Sequence, residues 1–184
     1  MNEVRSYPDD PASPFEEPPL SFTDREGRDI TIQGYEPGSP VPGPLIEMYD
    51  AFDPADRAQG IPPSSEAAIR EWLSDLFADG FSVVAWHGER VAGHAILVPE
   101  GEPEAPDDGE YELAIFVLQA YQGAGIGKRL LQTLLGFGAS YGVSRVWLTV
   151  ERWNRPAMSL YETVGFEVTD ARTFEHEMCL RLSK

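Results

Sequence analysis

The fold of this chain is decided by the stretch Val117-Leu118-Gln119-Ala120-Tyr121-Gln122-Gly123-Ala124-Gly125-Ile126-Gly127-Lys128. A run rich in β-forming residues ends here, three alternating glycines follow, and a helical pattern begins. Successive backbone N–H groups and the positive end of the helix would then converge on one point, which favours a bound phosphate. Glycine lets the backbone approach the anion closely. The alternative that the glycines only allow tight helix–strand packing stays open.

Two familiar phosphate motifs fit this turn less well. A P-loop needs glycine at position 122 and serine or threonine at position 129, where this chain has Gln122 and Arg129. The dinucleotide fingerprint Gly-x-Gly-x-x-Gly also differs from the spacing found here, although Glu151 lies at about the right distance for a ribose contact. Dinucleotide binding remains an open alternative, but four predicted strands precede the turn.

Hydrophobic periodicity on both sides of the turn predicts a mixed α/β domain. The predicted strands cover residues 29–35, 81–86, 91–98, 110–118, 144–150, 166–170 and 174–182. The predicted helices cover residues 45–52, 65–78, 125–141 and 154–164. The early strands are expected to be antiparallel, and one strand–helix–strand crossover comes late. A loop at 54–63 and an acidic link at 99–109 connect these elements.

Length and composition predict one domain with a flexible segment before it. The 184 residues fit a single core. Residues 1–24 carry five prolines among acidic and small residues, so we expect a flexible tail followed by a domain over 25–184. The sequence has no apolar run of about 18 residues that could span a bilayer, and we expect a soluble, cytoplasmic protein.

The chain is strongly acidic, with 31 acidic and 14 basic residues and a net charge of −17. Such a charge argues against nucleic acid or an anionic membrane as partner. Salt adaptation and steering of a cationic substrate are both consistent with it. The single cysteine, Cys179, and three histidines without ligand spacing predict neither a disulfide nor a metal site.

Two segments resemble the GNAT superfamily of acyl-CoA N-acyltransferases. Gln122-x-x-Gly125-x-Gly127 is similar to the family's Gln/Arg-x-x-Gly-x-Gly/Ala signature. The segment from Asn154 to Phe166 is similar to the family's Asn-x-x-Ala-x-x-Leu-Tyr-Glu-x-x-Gly-Phe. With the order of elements, the resemblance covers residues from about 29 to 182. It implies a mostly antiparallel sheet that splays between its fourth and fifth strands, flanked by about four helices.

The resemblance also implies acetyl-CoA as co-substrate and no metal. The backbone amides of the turn would hold the CoA pyrophosphate, through the residues Gln122, Gly123, Ala124, Gly125, Ile126, Gly127 and Lys128. The pantetheine arm would lie between the splayed strands and pair with the backbone of Ile115 and Val117. Asn154 would contact the cofactor arm, cap the following helix, or do both.

Three side chains are the candidates for proton transfer. Tyr161 would protonate the departing thiolate, unless it only packs its helix on the sheet. Glu110 and Glu112 would accept a proton from the amine; they alternate along a strand and share one face, and a role as solvated surface carboxylates stays open. The expected reaction is direct attack of a primary amine on the thioester in a ternary complex.

Several functional points stay open at this stage. The acceptor would be a small-molecule or protein amine, bound among the loop at 54–63, the second helix and the link at 99–109. A homodimer through the last strands is open. A different class of function is a catalytically silent domain that binds acyl-CoA as a sensor or partner module.

Overall fold

The structure is a computed structural model, which describes residues 4–56 and 61–183. The strands are β1 (Leu20–Thr23), β2 (Asp29–Tyr35), β3 (Phe81–His87), β4 (Arg90–Pro99), β5 (Glu110–Val117), β6 (Arg145–Glu151), β7 (Glu167–Ala171) and β8 (Glu175–Arg181). The helices are α1 (Gly43–Asp50), α2 (Glu66–Asp79), α3 (Ile126–Ser140) and α4 (Arg155–Val164). Short 3-10 turns occur at residues 54–56, 106–108 and 119–121. Residues 57–60, within the predicted loop at 54–63, lie outside the described residues.

All of the strands belong to one sheet, in the order β1-β2-β3-β4-β5-β6-β8-β7. In the described part of the chain β5 and β6 form the parallel pair, and the other neighbours are antiparallel. This confirms the predicted mixed α/β class with a late crossover. A doubly wound parallel sheet, which the dinucleotide alternative requires, is not what these residues form.

The sheet opens between β5 and β6. Their pairing runs from Glu110 opposite Arg145 to Glu112 opposite Trp147, whereas the pairing of β4 with β5 continues as far as Val117. The two parallel strands therefore diverge after Glu112. They are the fourth and fifth strands of the sequence-based prediction, which did not include β1, and the predicted splay is confirmed.

The helices lie on both faces of the sheet. His94 of β4 contacts Tyr49 of α1 and Phe77 of α2, while its neighbour Gly93 lies against Leu130 of α3. Because successive residues of a strand point to opposite faces, α1 and α2 lie on one face and α3 on the other. Helix α4 joins α3, since Leu160 approaches Gly127 at the start of α3.

The helix ends follow local sequence signals. The Ser65 side chain accepts a hydrogen bond from the Ala68 amide and caps α2, which begins one residue after the predicted start. Gly165 ends α4 with φ 113°, a left-handed conformation that glycine adopts without a steric cost. No helix in the described residues is both long and apolar enough to cross a bilayer.

The N-terminal segment differs from the predicted flexible tail. Residues 20–23 form β1 and pair with β2, and Ala12 forms a bridge with Leu182. The Glu16 carbonyl lies so close to α3 that a Cβ on Gly136 would stand 2.3 Å from its oxygen. The contacts of the N-terminal segment with the domain therefore begin at Arg5, well before the predicted boundary at residue 25. Residues 1–3 lie outside the described residues.

Candidate functional site

The glycine-rich turn leaves the first amides of α3 open to a ligand. Gly123 and Gly125 both have positive φ, 76° and 89°, so the chain turns sharply before the helix begins. Gly125 occupies the N-cap position and has no side chain to accept the amides of the first helical turn, which also lacks an acidic residue. These N–H groups need an acceptor. An anion at the helix N-terminus would supply it.

The glycine-rich turn at 122–128 contacts both β5 and α4. The Gln122 side chain donates from Nε2 to the Val117 carbonyl and to Asp56 Oδ2, at 3.0 Å each. A Cβ on Gly127 would lie 3.7 Å from Val117 Cγ2 and 3.9 Å from Leu160 Cδ2. Gly127 therefore marks the approach of β5, α3 and α4. Tight packing at Gly127 and amides without a side-chain cap occur together here, so the two interpretations of the glycines are compatible.

A positive side chain that the sequence-based reasoning missed lies beside the turn. Arg25, in the β1–β2 connection, donates its backbone N–H to the Ala124 carbonyl at 3.1 Å. Its Nε lies 3.7 Å from the position of a Cβ on Gly125. Arg28 in the same connection forms an ion pair with Asp24 at 2.7 Å. The turn-forming Asp24-x-x-Gly27 pattern is the available sequence signal, but it does not indicate which distant segment the turn will contact.

The opening between β5 and β6 exposes backbone groups of β5. Glu100 N–H donates to the Glu110 carbonyl, and Leu118 N–H donates to the Ala92 carbonyl. The even-numbered residues of β5 thus direct their polar backbone groups toward β4, and the odd-numbered residues direct theirs toward β6. Beyond Glu112 the partner strand has diverged. The backbone of Ile115 and Val117 therefore faces the opening, and the Val117 carbonyl already accepts the Gln122 side chain.

Glu110 and Glu112 lie where β5 and β6 are still paired, and they share one face of β5 as predicted, while Tyr111 between them is buried. Glu110 pairs with Arg5 at 3.2 Å. Glu112 has an exposed side chain, yet the protein around it removes enough water to raise the pKa of its carboxyl. Arg5 opposes this rise in pKa, and Glu100 adds to it.

Tyr161 lies half-buried on α4, with its ring 5.8 Å from the ring of Phe166. Burial raises the pKa of Tyr161 to about 12, so the phenol stays protonated at neutral pH. A protonated phenol can donate to a developing thiolate. Packing against Phe166 supports the structural interpretation as well, and the two roles are compatible.

Asn154 caps α4, since its Oδ1 accepts a hydrogen bond from the Ala157 amide at 3.3 Å. The capping role considered for Asn154 is thereby observed, and its contact with the cofactor arm stays a prediction. Cys179 is buried and lies 3.2 Å from Thr169 Oγ1, as expected for a packing residue. Among the described residues, no group of three His, Cys, Asp or Glu side chains is arranged for a metal ion.

The sequence matches the Acetyltransferase (GNAT) family over residues 45–166. The chain belongs to this family. The matched range includes β5, the glycine-rich turn at 122–128, the opening between β5 and β6, and α4. The GNAT resemblance inferred from Gln122-x-x-Gly125-x-Gly127 and from the segment 154–166 is confirmed.

A relative and two solved structures agree with the GNAT assignment. An uncharacterized N-acetyltransferase of Mycobacterium tuberculosis is 32% identical over 111 residues, which cover 60% of this chain and 66% of that protein. The GNAT domain of S. lividans PAT has the same fold, with a TM-score of 0.74 at 15% identity over 89% of this chain and 96% of that one. YncA from Salmonella typhimurium, solved with its cofactor acetyl-CoA, has a TM-score of 0.64 at 19% identity, covering 84% of this chain and 95% of that one.

Proposed function

We propose that this GNAT chain transfers the acetyl group of acetyl-CoA to a primary amine by direct attack in a ternary complex. One observation carries the proposal: the uncapped amides of the turn at 122–128 lie at the end of β5 from which β5 and β6 diverge. An anion site next to an open strand edge fits a ligand that has a diphosphate and an extended amide-bearing arm. CoA has both parts.

In this proposal the turn binds the diphosphate through its backbone. The N–H groups of Ile126, Gly127 and Lys128 are the first of α3, and the Gly125 N-cap makes no side-chain hydrogen bond to them. The pantetheine arm extends along β5 and pairs with the backbone of Ile115 and Val117, on the edge that β6 leaves open. The side chain of Asn154 would contact the pantetheine arm and would also continue to cap α4.

The chemical step needs one group to accept a proton and one to donate a proton. The neutral amine attacks the thioester carbonyl, so that a C–N bond forms and the C–S bond breaks. Glu112 takes the proton of the amine, directly or through water, and its raised pKa suits that role. Glu110 is the less favoured base because it pairs with Arg5. Tyr161 gives its proton to the CoA thiolate.

Two measurements on one sample test the proposal. Isothermal titration with acetyl-CoA measures binding, and a thiol-release assay over a panel of primary amines measures transfer. We expect binding together with release of thiol on at least one amine. Binding with no turnover on any amine would favour the silent acyl-CoA-binding domain. Binding of NADH in place of acetyl-CoA would contradict the proposal altogether.

The panel should include small polyamines, amino sugars and peptides with free N-termini or lysines. The acceptor can be a small molecule or a protein, because an exposed carboxylate such as Glu112 is accessible to both. A size-exclusion measurement with light scattering tests whether the chain forms a homodimer, in the same experiment series.

A further inference from the structure

A guanidinium group occupies a box of acidic and aromatic side chains on one face of the sheet. Arg5 Nε pairs with Glu177 at 3.1 Å, and Arg5 Nη1 pairs with Glu110 at 3.2 Å and also with Glu100. The Arg5 Cζ atom lies 3.6 Å from the centre of the Trp147 ring. The side chain of Arg5 is only 16% exposed. Carboxylates around a guanidinium that lies on an indole face are a typical way to bind an organic cation.

This cation box, defined by Glu100, Glu110, Glu177 and Trp147, lies next to the proposed reaction centre. Trp147 is paired with Glu112 across the last rung of the β5–β6 ladder, so the two side chains share a face. The charges of Arg5 and Glu100 both act on the carboxyl of Glu112. The box is thus adjacent to the candidate base and at the point where β5 and β6 diverge.

The sheet face around the box is open. A cavity of about 890 Å³ extends from it and is lined by the six carboxylates of Glu100, Glu102, Asp108, Glu110, Asp170 and Glu177. The arginines that line the same cavity are Arg5, Arg145 and Arg172. The cavity therefore stays acidic even with Arg5 in place. A cation is the complementary ligand for such a space.

More carboxylates surround Arg5 than one guanidinium charge can neutralise. Without Arg5, Glu100, Glu110 and Glu177 would repel one another, and each would lose a charge-assisted hydrogen bond. The segment that carries Arg5 is fixed to the sheet at a second point, where Arg181 Nε donates to the Pro8 carbonyl at 2.7 Å. Arg5 thus belongs to a segment that is not an element of the sheet. We call this segment, residues 4–8, the strap.

We propose, building on the acetyltransferase function above, that the cation box is the subsite for a positively charged group of the amine acceptor, and that Arg5 occupies it as an internal mimic until the acceptor displaces it. The acceptor class is then an amine that carries a second cationic group, guanidinium or ammonium. The reactive amine extends from the box toward Glu112, and the strap competes with the acceptor for the box.

Direct binding tests this subsite without any turnover. We would titrate agmatine, which joins a guanidinium to a primary amine, and butylamine, which lacks the guanidinium, into the wild-type protein and Arg5→Ala in the absence of acetyl-CoA. We expect agmatine to bind Arg5→Ala about tenfold more tightly than the wild type, because a charge-assisted hydrogen bond of the competing group is removed. Butylamine should show no such gain. Equal agmatine affinity in the two proteins would overturn the proposal.

Three further variants control for indirect effects. Glu177→Gln in the Arg5→Ala background should lose most of the gained affinity, and undiminished binding there would place agmatine elsewhere and overturn the assignment. Arg70→Ala is the matched control, because Arg70 pairs with Glu66 on the exposed side of α2, away from the box. It should bind agmatine like the wild type.

If Arg5→Ala unfolds, Arg5→Lys is the alternative variant. It keeps the positive charge and should bind agmatine with an affinity between those of the wild type and Arg5→Ala. An agmatine affinity equal to that of the wild type would contradict displacement of Arg5.

The same samples keep this proposal separate from the acetyltransferase function. Titration with acetyl-CoA reports on the turn at 122–128, which is distinct from the box. Tight acetyl-CoA binding with agmatine affinity independent of Arg5 would overturn the subsite alone. In the thiol-release assay, we expect agmatine to have a lower KM with Arg5→Ala than with the wild type, and an unchanged KM would contradict competition by the strap.

Discussion

The side chain of Arg25 lies directly beside Gly125, so that a Cβ on Gly125 would stand 3.7 Å from Arg25 Nε and 3.9 Å from Arg25 Cζ. The backbone hydrogen bond from Arg25 to Ala124 holds the two segments together. A guanidinium from the β1–β2 connection is thereby added to the N-terminus of α3. Its positive charge adds to that of the uncapped amides, in a chain with a net charge of −17.

Arg25→Gln should weaken acetyl-CoA binding about tenfold, because a charge-assisted contact to phosphate is lost while the backbone bond to Ala124 remains. Isothermal titration at low and high salt measures the change, and the loss should shrink at high salt. Arg70→Gln serves as the control for a general loss of positive charge. Affinity that Arg25→Gln leaves unchanged at low salt would remove Arg25 from the site.

Gly125→Glu should abolish measurable acetyl-CoA binding, since it adds bulk and negative charge at the helix N-terminus. Gly38→Glu is the matched control, because Gly38 has φ 87° against 89° for Gly125 and has open space around it. Both variants carry the strain of a left-handed side chain, about 1 kcal/mol. They should melt at similar temperatures, and only Gly125→Glu should lose the ligand. If both lost it equally, backbone strain would be the cause.

Tyr161→Phe should lower turnover about a hundredfold while acetyl-CoA affinity stays nearly unchanged, because it removes a proton donor without changing the shape of the side chain. Steady-state kinetics and titration give the two values. Tyr141→Phe is the control. Tyr141 lies at the C-terminal end of α3, far from the turn, and its hydroxyl donates to Glu36. A wild-type rate in Tyr161→Phe would leave Tyr161 with packing alone.

Acid should destabilise the protein through His94. Its ring is fully buried between Tyr49 and Ser82, at 2.7 and 3.0 Å, and burial lowers the pKa of His94 to about 3. The unfolded chain takes up that proton near its ordinary pKa of about 6.5, so below this pH it binds more protons than the folded state. The stability that the neutral ring contributes is complete above about pH 6.5 and is lost progressively toward pH 3.

Urea unfolding of the wild type and His94→Gln checks this effect. From about pH 7 to pH 5 the wild type should lose about 2 kcal/mol more of its free energy of unfolding than the variant does. The variant is less stable at neutral pH, but its dependence on pH should be flatter. Parallel pH profiles for the two proteins would mean that His94 titrates normally.

The sequence predicts the elements around the turn because each has a local signal. Helix α3 begins directly after Gly125, Ser65 caps α2, and Gly165 ends α4, all within a residue or two of the predicted bounds. Glycine at a left-handed position and a side chain that accepts an amide act over a few residues. The face shared by Glu110 and Glu112 follows equally from the two-residue period of a strand.

The N-terminal segment was not predictable in the same way. Its five prolines suggest disorder, but its contacts are with positions distant in sequence, and two of these positions need glycine. A Cβ on Gly34 would meet Pro18 at 2.7 Å, and one on Gly136 would meet the Glu16 carbonyl. These close approaches depend on the tertiary fold, and so do the placements of Arg5 and Arg25. The two arginines that the sequence-based analysis missed at the site, Arg5 and Arg25, come from this segment and from the β1–β2 connection that follows it.

The central claim is that the turn at 122–128 binds the diphosphate of CoA through its backbone. Titration of ¹⁵N-labelled protein with acetyl-CoA, followed by amide chemical shifts, tests it most directly. The largest shifts should fall on Gly125, Ile126, Gly127 and Lys128, with further shifts at Ile115 and Val117. Saturable binding that moves other amides and leaves these six unchanged would contradict the account.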